Sequence, residues 1–383
     1  MTRIERIETT IVDIPTIRGH VLSMTTMMVQ SIVLVQVRFS DGSKGLGEGT
    51  SIGGMSYGAE SPESIKLAID RYIAPTLEGL NGDDVNAATN LMQKVVRGNP
   101  IARCAVETAL WDGLGRRLGV SVAQLFGGKV RTTMPVAWTL ASGNSDQDIA
   151  EAKDMIALRR HNIFKLKIGK RSVRDDVAHV AAIKSALGDD ASIRVDVNQA
   201  WTISQARWGL SGLQEIGVDL VEQPIGSKHL KALKQLTDTY EIAVMADEAL
   251  QGPEDALLVA ADRSADAFAV KIAQSGGLKR ASEVIAIARA AGIGLYGGTM
   301  LEAGVGTAAA VQVFSTIESM EWGTELFGPL LLKDEILADP IRYSDFALTV
   351  PEGPGIAVDL DADKVAHYRR DRSDSLHRVA AIP

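Results

Sequence analysis

"FKLKIGKRSVRDDVAHVAAIKSALGDDASIRVDVN", residues 164–198, decides the fold. It opens on a short apolar, strand-like run (FKLKI) that Gly169 ends. An amphipathic stretch follows (DDVAHVAAIKSAL), then a second run rich in β-branched residues (SIRVDVN). Strand, helix and strand in that order make one unit of an α/β fold. The first run also poses a chemical question. Side chains two apart on a strand share a face, so Lys165 and Lys167 sit side by side. Two like charges placed together cost energy unless something uses or screens them.

Working outward, the same rhythm continues in both directions. Strand-like runs stand at MPVAWTL, FKLKI, SIRVDVN, VDLVEQP, IAVMADE, AFAVKI, IGLYGG and MEWGTEL, about 23 to 30 residues apart. The segments between them read largely as amphipathic helices. Eight such units predict a (β/α) barrel of seven to eight strands, with its site at the strands' C-terminal ends. A doubly wound open sheet would need a glycine-rich phosphate loop after its first strand, and WTLASGN is not one.

Upstream, RIETTIVDI, SIVLVQVRF and the turn SDGSKGLGEG predict an antiparallel sheet. SPESIKLAIDRYIAPTLEGL and IARCAVETALWDGLGRRLG predict helices, the first opened by a capping Ser61 and Pro62. The expected division is an α+β capping domain over 1–125, a barrel over 126–335, and a segment 336–383 that returns to the capping domain. Residues 15–30 and 50–60 are expected as substrate-covering loops, the former mobile because its Gly, Ser, Thr and Met show no period. The tail from Tyr368 is polar and charged, and is expected to be loose.

The bulk numbers are those of an ordinary globular chain: 383 residues, 46% hydrophobic, net charge −8 without long single-sign blocks. That balance argues against nucleic acid or an anionic membrane as partner. Cys104 is the only cysteine, which excludes an internal disulfide and a thiolate metal site. With no signal-peptide core at the start and no apolar run near membrane length, a cytoplasmic protein is expected.

Polar residues fall at the strand ends in an orderly way. The second strand ends with Lys165 and Lys167, the third with Asp196 and Asn198, the fourth with Glu222. The fifth ends with Asp247 and Glu248, and the sixth with Lys271. A single such Asp is more often a helix N-cap. Asp196, Glu222 and Asp247, at intervals of 26 and 25 residues, instead converge from adjacent strands. Carboxylates so grouped suit a hard divalent cation, Mn²⁺ or Mg²⁺. Strands two and six oppose each other across an eight-stranded barrel, so Lys167 and Lys271 approach from opposite sides. Lys165 is expected to lower the pKa of Lys167 by repulsion. The whole is a site for moving a proton next to a carboxylate.

KLKIG, DVNQAW, VEQP, ADE, KIAQSGG and PEGPGIAV, in that order, resemble the muconate lactonizing branch of the enolase superfamily over almost the whole chain. The resemblance implies Asp196, Glu222 and Asp247 as metal ligands, Lys167 as acid/base with Lys165 beside it, and Lys271 as the opposing cation. The loops PTIRGHVLSMTTM, TSIGGMSYGAES, GGTMLEAGVG and TELFGP look like those of muconate-converting members. They imply reversible closure of cis,cis-muconate to muconolactone in aromatic-compound degradation, by a homo-oligomer such as an octamer. His20, Ile52, Tyr57, Asn198, Thr299 and Glu325 are candidates for substrate contact, and Arg18 for a distal carboxylate. Cys104 is expected in the core, with Trp111 and Asp112 at the domain junction.

Chloromuconate cycloisomerases, N-acylamino acid racemases and dipeptide epimerases share the same catalytic set. GTELFGP lacks the D-x-D expected of a dipeptide epimerase, which favours a substrate with two carboxylates. Outside the family, a Schiff-base aldolase would use a barrel lysine without needing three carboxylates. A barrel hydrolase usually takes histidine ligands, and none of the six histidines stands at a strand end.

Overall fold

The structure, a computed structural model, describes residues 2–370. Of the charged tail, residues 371–383 lie outside the described residues. The chain begins with an antiparallel sheet in the order β1 (Ile4–Val21), β2 (Thr26–Phe39) and β3 (Lys44–Thr50). The helix Pro100–Leu118 crosses this sheet at very short range. A Cβ on Gly45 or Gly47 would lie 1.9 Å from a carbonyl oxygen of that helix, so only glycine allows the contact. The helix starts on Pro100 and stops at Gly119 in the left-handed region (φ 70°). Cys104 is buried on it, and Asp112 accepts from the Leu46 and Ile356 amides (both 2.8 Å) and from Arg116, joining three parts of the chain.

The expected mobile loop at 15–30 is an extension of the β1–β2 hairpin. His20 pairs with Met27 and Val21 with Thr26 after a register shift, and only Leu22–Thr25 turn. That irregularity blurs the two-residue period that would have announced strands.

Strands β4 (Thr133–Pro135) and β5 (Trp138–Leu140) divide what the sequence presents as one run. β5 continues through β6 (Ile163–Lys167), β7 (Ser192–Asp196), β8 (Leu220–Glu222), β9 (Ala243–Ala246), β10 (Ala267–Val270) and β11 (Gly294–Gly297), each parallel to the last. The eighth run, MEWGTEL, forms no regular strand. Gly323 takes a left-handed turn (φ 65°) beside Pro135, and Thr324 alone bridges to both Gly297 and Val136. That residue closes the curled sheet into a barrel of the (β/α)₇₋₈ type. Leu220, Met245, Ala267, Ala269 and Tyr296 pack together as a separate buried cluster.

Helices cover the barrel by the usual means. Val173–Leu187 is capped by the Ser172 side chain and buries Val173, Val180, Ile183 and Leu187, one helical stripe. Near the end of the chain, β12 (Tyr343–Ser344) pairs with β13 (Ala347–Thr349), which pairs with β4, whereas helix Ala362–Tyr368 lies on β1. The FALTV run therefore joins the barrel side before the chain reaches the capping sheet. Among the described residues, no helix is long and apolar enough to cross a membrane.

Candidate active site

Barrel register places the polar residues in a row. Lys167 lies opposite Asp196 on β7, and Asp196 opposite Glu222 on β8. Asp247 follows β9 directly and Lys271 follows β10. Lys165, two residues before Lys167, shares its face and is 1% exposed.

The two lysines of FKLKI have different partners. Lys165 Nζ lies 2.9 Å from Glu222 Oε2 and 3.4 Å from Asp196 Oδ2, and it donates to Glu325 Oε2. Burial pushes its pKa down, but those carboxylates win and raise it well above the ordinary lysine value. Its charge is therefore locally compensated by three carboxylates. Lys167 Nζ sits 2.5 Å from Asp196 Oδ2 and 3.4 Å from Asn198 Oδ1. Lys271 donates to Asp247 Oδ2 and to the Tyr57 hydroxyl, both at 2.7 Å. Lys167 and Lys271 thus reach the acids through different carboxylates.

Burial pushes all three acids up. Lys167 and Lys165 hold Asp196 well below the ordinary carboxyl range, and Lys271 lowers Asp247. Glu222 stays raised, because burial and the Asp196 and Asp247 charges outweigh Lys165.

As placed, no three acidic, histidine or cysteine side chains among the described residues stand close enough together to hold an ion; each acid is drawn onto a lysine. The donor set nevertheless suits a hard divalent cation. Three carboxylates, each 1% exposed, act electrostatically on one another, and Glu222 Oε1 is buried without a hydrogen-bond partner.

A narrow cavity adjoins this cluster, and all six expected contact residues (His20, Ile52, Tyr57, Asn198, Thr299 and Glu325) line it. His20 is fully buried, not solvated, and neither ring nitrogen has a partner. Burial first, then Lys167, Arg18 and Lys165, hold its pKa well below the usual value, so the ring is neutral. Arg18 does not reach this cavity wall; its guanidinium pairs with Glu151 (2.9 Å) and the Thr139 carbonyl. Glu325 also accepts from Thr139, and Thr299 donates to Glu302. Sequence reasoning missed Leu22 and Leu301 on the lining, and Phe327, whose ring lies tilted against those of His20 and Trp138. Isolated apolar residues outside any period carry no signal of their own.

Comparison with known proteins finds relatives over nearly the whole chain. Residues 6–127 match the mandelate racemase / muconate lactonizing enzyme N-terminal domain, and residues 147–364 the enolase C-terminal domain-like family. Muconate cycloisomerase 1-2 of Acinetobacter lwoffii is 55% identical over 96% of both chains. A chloromuconate cycloisomerase of Delftia acidovorans is 46% identical over 96% of this chain and 99% of its own. The muconate lactonizing enzyme of Pseudomonas fluorescens, solved with muconolactone, superposes with a TM-score of 0.95 at 51% identity, covering 96% of this chain and all of that one.

Proposed function

This chain belongs to the mandelate racemase / muconate lactonizing enzyme family of the enolase superfamily, and from that membership we propose that it interconverts cis,cis-muconate and muconolactone. The observation that carries the reading is the approach of Lys167 and Lys271 to different members of one buried acid cluster, beside a cavity. Muconate cycloisomerases at 50–55% identity over nearly the full length support the choice of substrate.

Enzymes of this family depend on a divalent metal. We assign Asp196, Glu222 and Asp247 as its holders here, for Mn²⁺ or Mg²⁺. Bound there, the ion supplies charge stabilisation for the negative charge that grows on the substrate carboxylate. In lactonisation one carboxylate of muconate forms a C–O bond to the inner carbon of the farther double bond, the one conjugated to the other carboxylate. The displaced electron pair moves to the carbon beside the other carboxylate. Lys167 gives that carbon its proton; in reverse it removes the proton as the C–O bond breaks. Lys271 stabilises charge from the other side, with Tyr57 fixing its ammonium. Lys165 holds Glu222 and Glu325 in place. His20, neutral and free at both nitrogens, donates to the distal carboxylate. The working molecule is a cytoplasmic homo-oligomer, an octamer in this proposal. Relatives named for chloromuconate, 45–46% identical, favour chlorinated muconates as further substrates.

Loss of the conjugated diene's ultraviolet absorbance reports the reaction directly. Activity that vanishes in chelator and returns with Mn²⁺ or Mg²⁺ is the expected result. Unchanged muconate alongside rapid racemisation of N-acyl amino acids would overturn the substrate, and borohydride trapping of a carbonyl substrate would point to an aldolase instead.

A further inference from the structure

Glu248 follows Asp247 and is 7% exposed. One of its carboxylate oxygens accepts from Asn198 Nδ2 at 3.2 Å; the other, Oε2, is buried and has no partner. A buried carboxylate oxygen left unpaired carries its full desolvation cost. Such an atom calls for an explanation. Asn198 gives the first part of one. Its side-chain amide also donates to Asp196 Oδ2 (3.2 Å), its backbone amide donates to Asp196 Oδ1 (2.9 Å), and its Oδ1 accepts from Lys167. It does this from a left-handed backbone (φ 45°), a conformation that asparagine tolerates better than most residues. Glu248 is thus the outer support of the residue that orients both Asp196 and Lys167.

The setting gives the second part. Asp196, Glu222, Asp247, Glu248 and Glu325 stand with Lys165, Lys167 and Lys271 in one buried network, so the unpartnered Glu248 oxygen lies beside the carboxylates assigned to the ion.

We propose that Glu248 is a positioning residue of the metal centre, holding Asn198 against Asp196 and offering its free oxygen to water on the bound divalent ion. The proposal rests on the metal site assigned above. Supporting partners of metal ligands typically contribute about 10–100-fold in metal affinity, and that range is the expectation here.

Mn²⁺ binding, followed by electron paramagnetic resonance on the full-length protein, tests it without reference to turnover. E248Q should bind Mn²⁺ about 10–100-fold more weakly than the unaltered protein, and E248D should recover part of the loss. N198A should weaken binding as well. The double variant E248Q/N198A should lose less than the two single losses combined, because both act through one chain of contacts. Mn²⁺ affinity in E248Q within twofold of the unaltered protein overturns the proposal, even if its thermal stability falls. If E248Q fails to fold, E248D is read in the same titration, and unchanged affinity there overturns it equally. A protein with its natural Glu248 that binds no Mn²⁺ refutes the metal site itself, a separate outcome.

Discussion

Lys165 and Lys167 differ by two positions and by their consequences. Among the described residues, Lys167 hydrogen-bonds to Asp196 and Asn198. Lys167→Ala should therefore leave the fold intact, with an unchanged circular dichroism spectrum. Its lactonising rate should fall by at least about 10²–10³, the typical cost of one well-placed charged group. Retention of full activity would remove Lys167 from the mechanism. Lys165→Ala is a different experiment. It leaves Glu222, Asp196 and Glu325 buried without their shared cation, a defect that costs about 3–5 kcal/mol. Differential scanning calorimetry should show a melting point several degrees lower, and a variant as stable as its parent would contradict the compensation argued here. These lysines and the three acids were legible in the sequence because barrel period and strand alternation fix where strand ends point. Their pairing was not. Which carboxylate compensates which ammonium depends on register between strands 30 or 160 positions apart in the chain, as Lys165 with Glu325 illustrates.

At the scale of elements, the β1–β2 hairpin is the part that sequence reading got wrong and that covers the site. It reaches the barrel through Arg18, whose guanidinium meets Glu151 and the β5 carbonyl of Thr139 and lies 5.8 Å from the Trp138 ring; Trp138 Nε1 donates to the same Glu151. His20 is two residues on. The cavity beneath is lined by His20 and Leu22 of this hairpin and by Ile52 and Tyr57 of the 50–60 loop. Arg18→Ala should loosen the hairpin and misplace His20. We expect KM for muconate to rise severalfold with kcat much less affected, and faster proteolytic cutting at residues 22–25. A change confined to kcat would show that the hairpin acts on chemistry instead. The barrel's regular units were readable from their recurring runs. Its closure was readable only in part: MEWGTEL marked the eighth run, but the left-handed turn at Gly323 leaves Thr324 as the single residue of it that bridges its neighbours.

At the scale of the whole molecule, the capping domain is fastened to the barrel by two buried carboxylates. Glu48 on β3 accepts from the Ala303 and Gly306 amides, both at 2.7 Å, at the start of helix Gly304–Phe314. Glu107, on the helix that crosses the capping sheet, accepts from the Leu278 and Lys279 amides at the start of helix Leu278–Ala291. The helix ends that would otherwise attract an anion are thus taken up by the fold itself. Burial raises both groups from 4.5 to about 7, against the hydrogen bonds and helix ends that favour the ionised form. With folded values above unfolded ones, the native state binds more protons than the unfolded chain between pH 4.5 and about 7. Their contribution is fully present below pH 4.5 and is lost as pH rises through 7. The double variant E48Q/E107Q should be less stable at every pH, since an amide side chain can accept at only one of the two positions each glutamate serves. Its melting temperature should nevertheless fall less steeply than the parent's between pH 5 and pH 7, by the loss of up to about two titrating protons. Parallel curves would mean that these carboxylates stay ionised throughout, and that helix ends and amides outweigh burial at the domain junction.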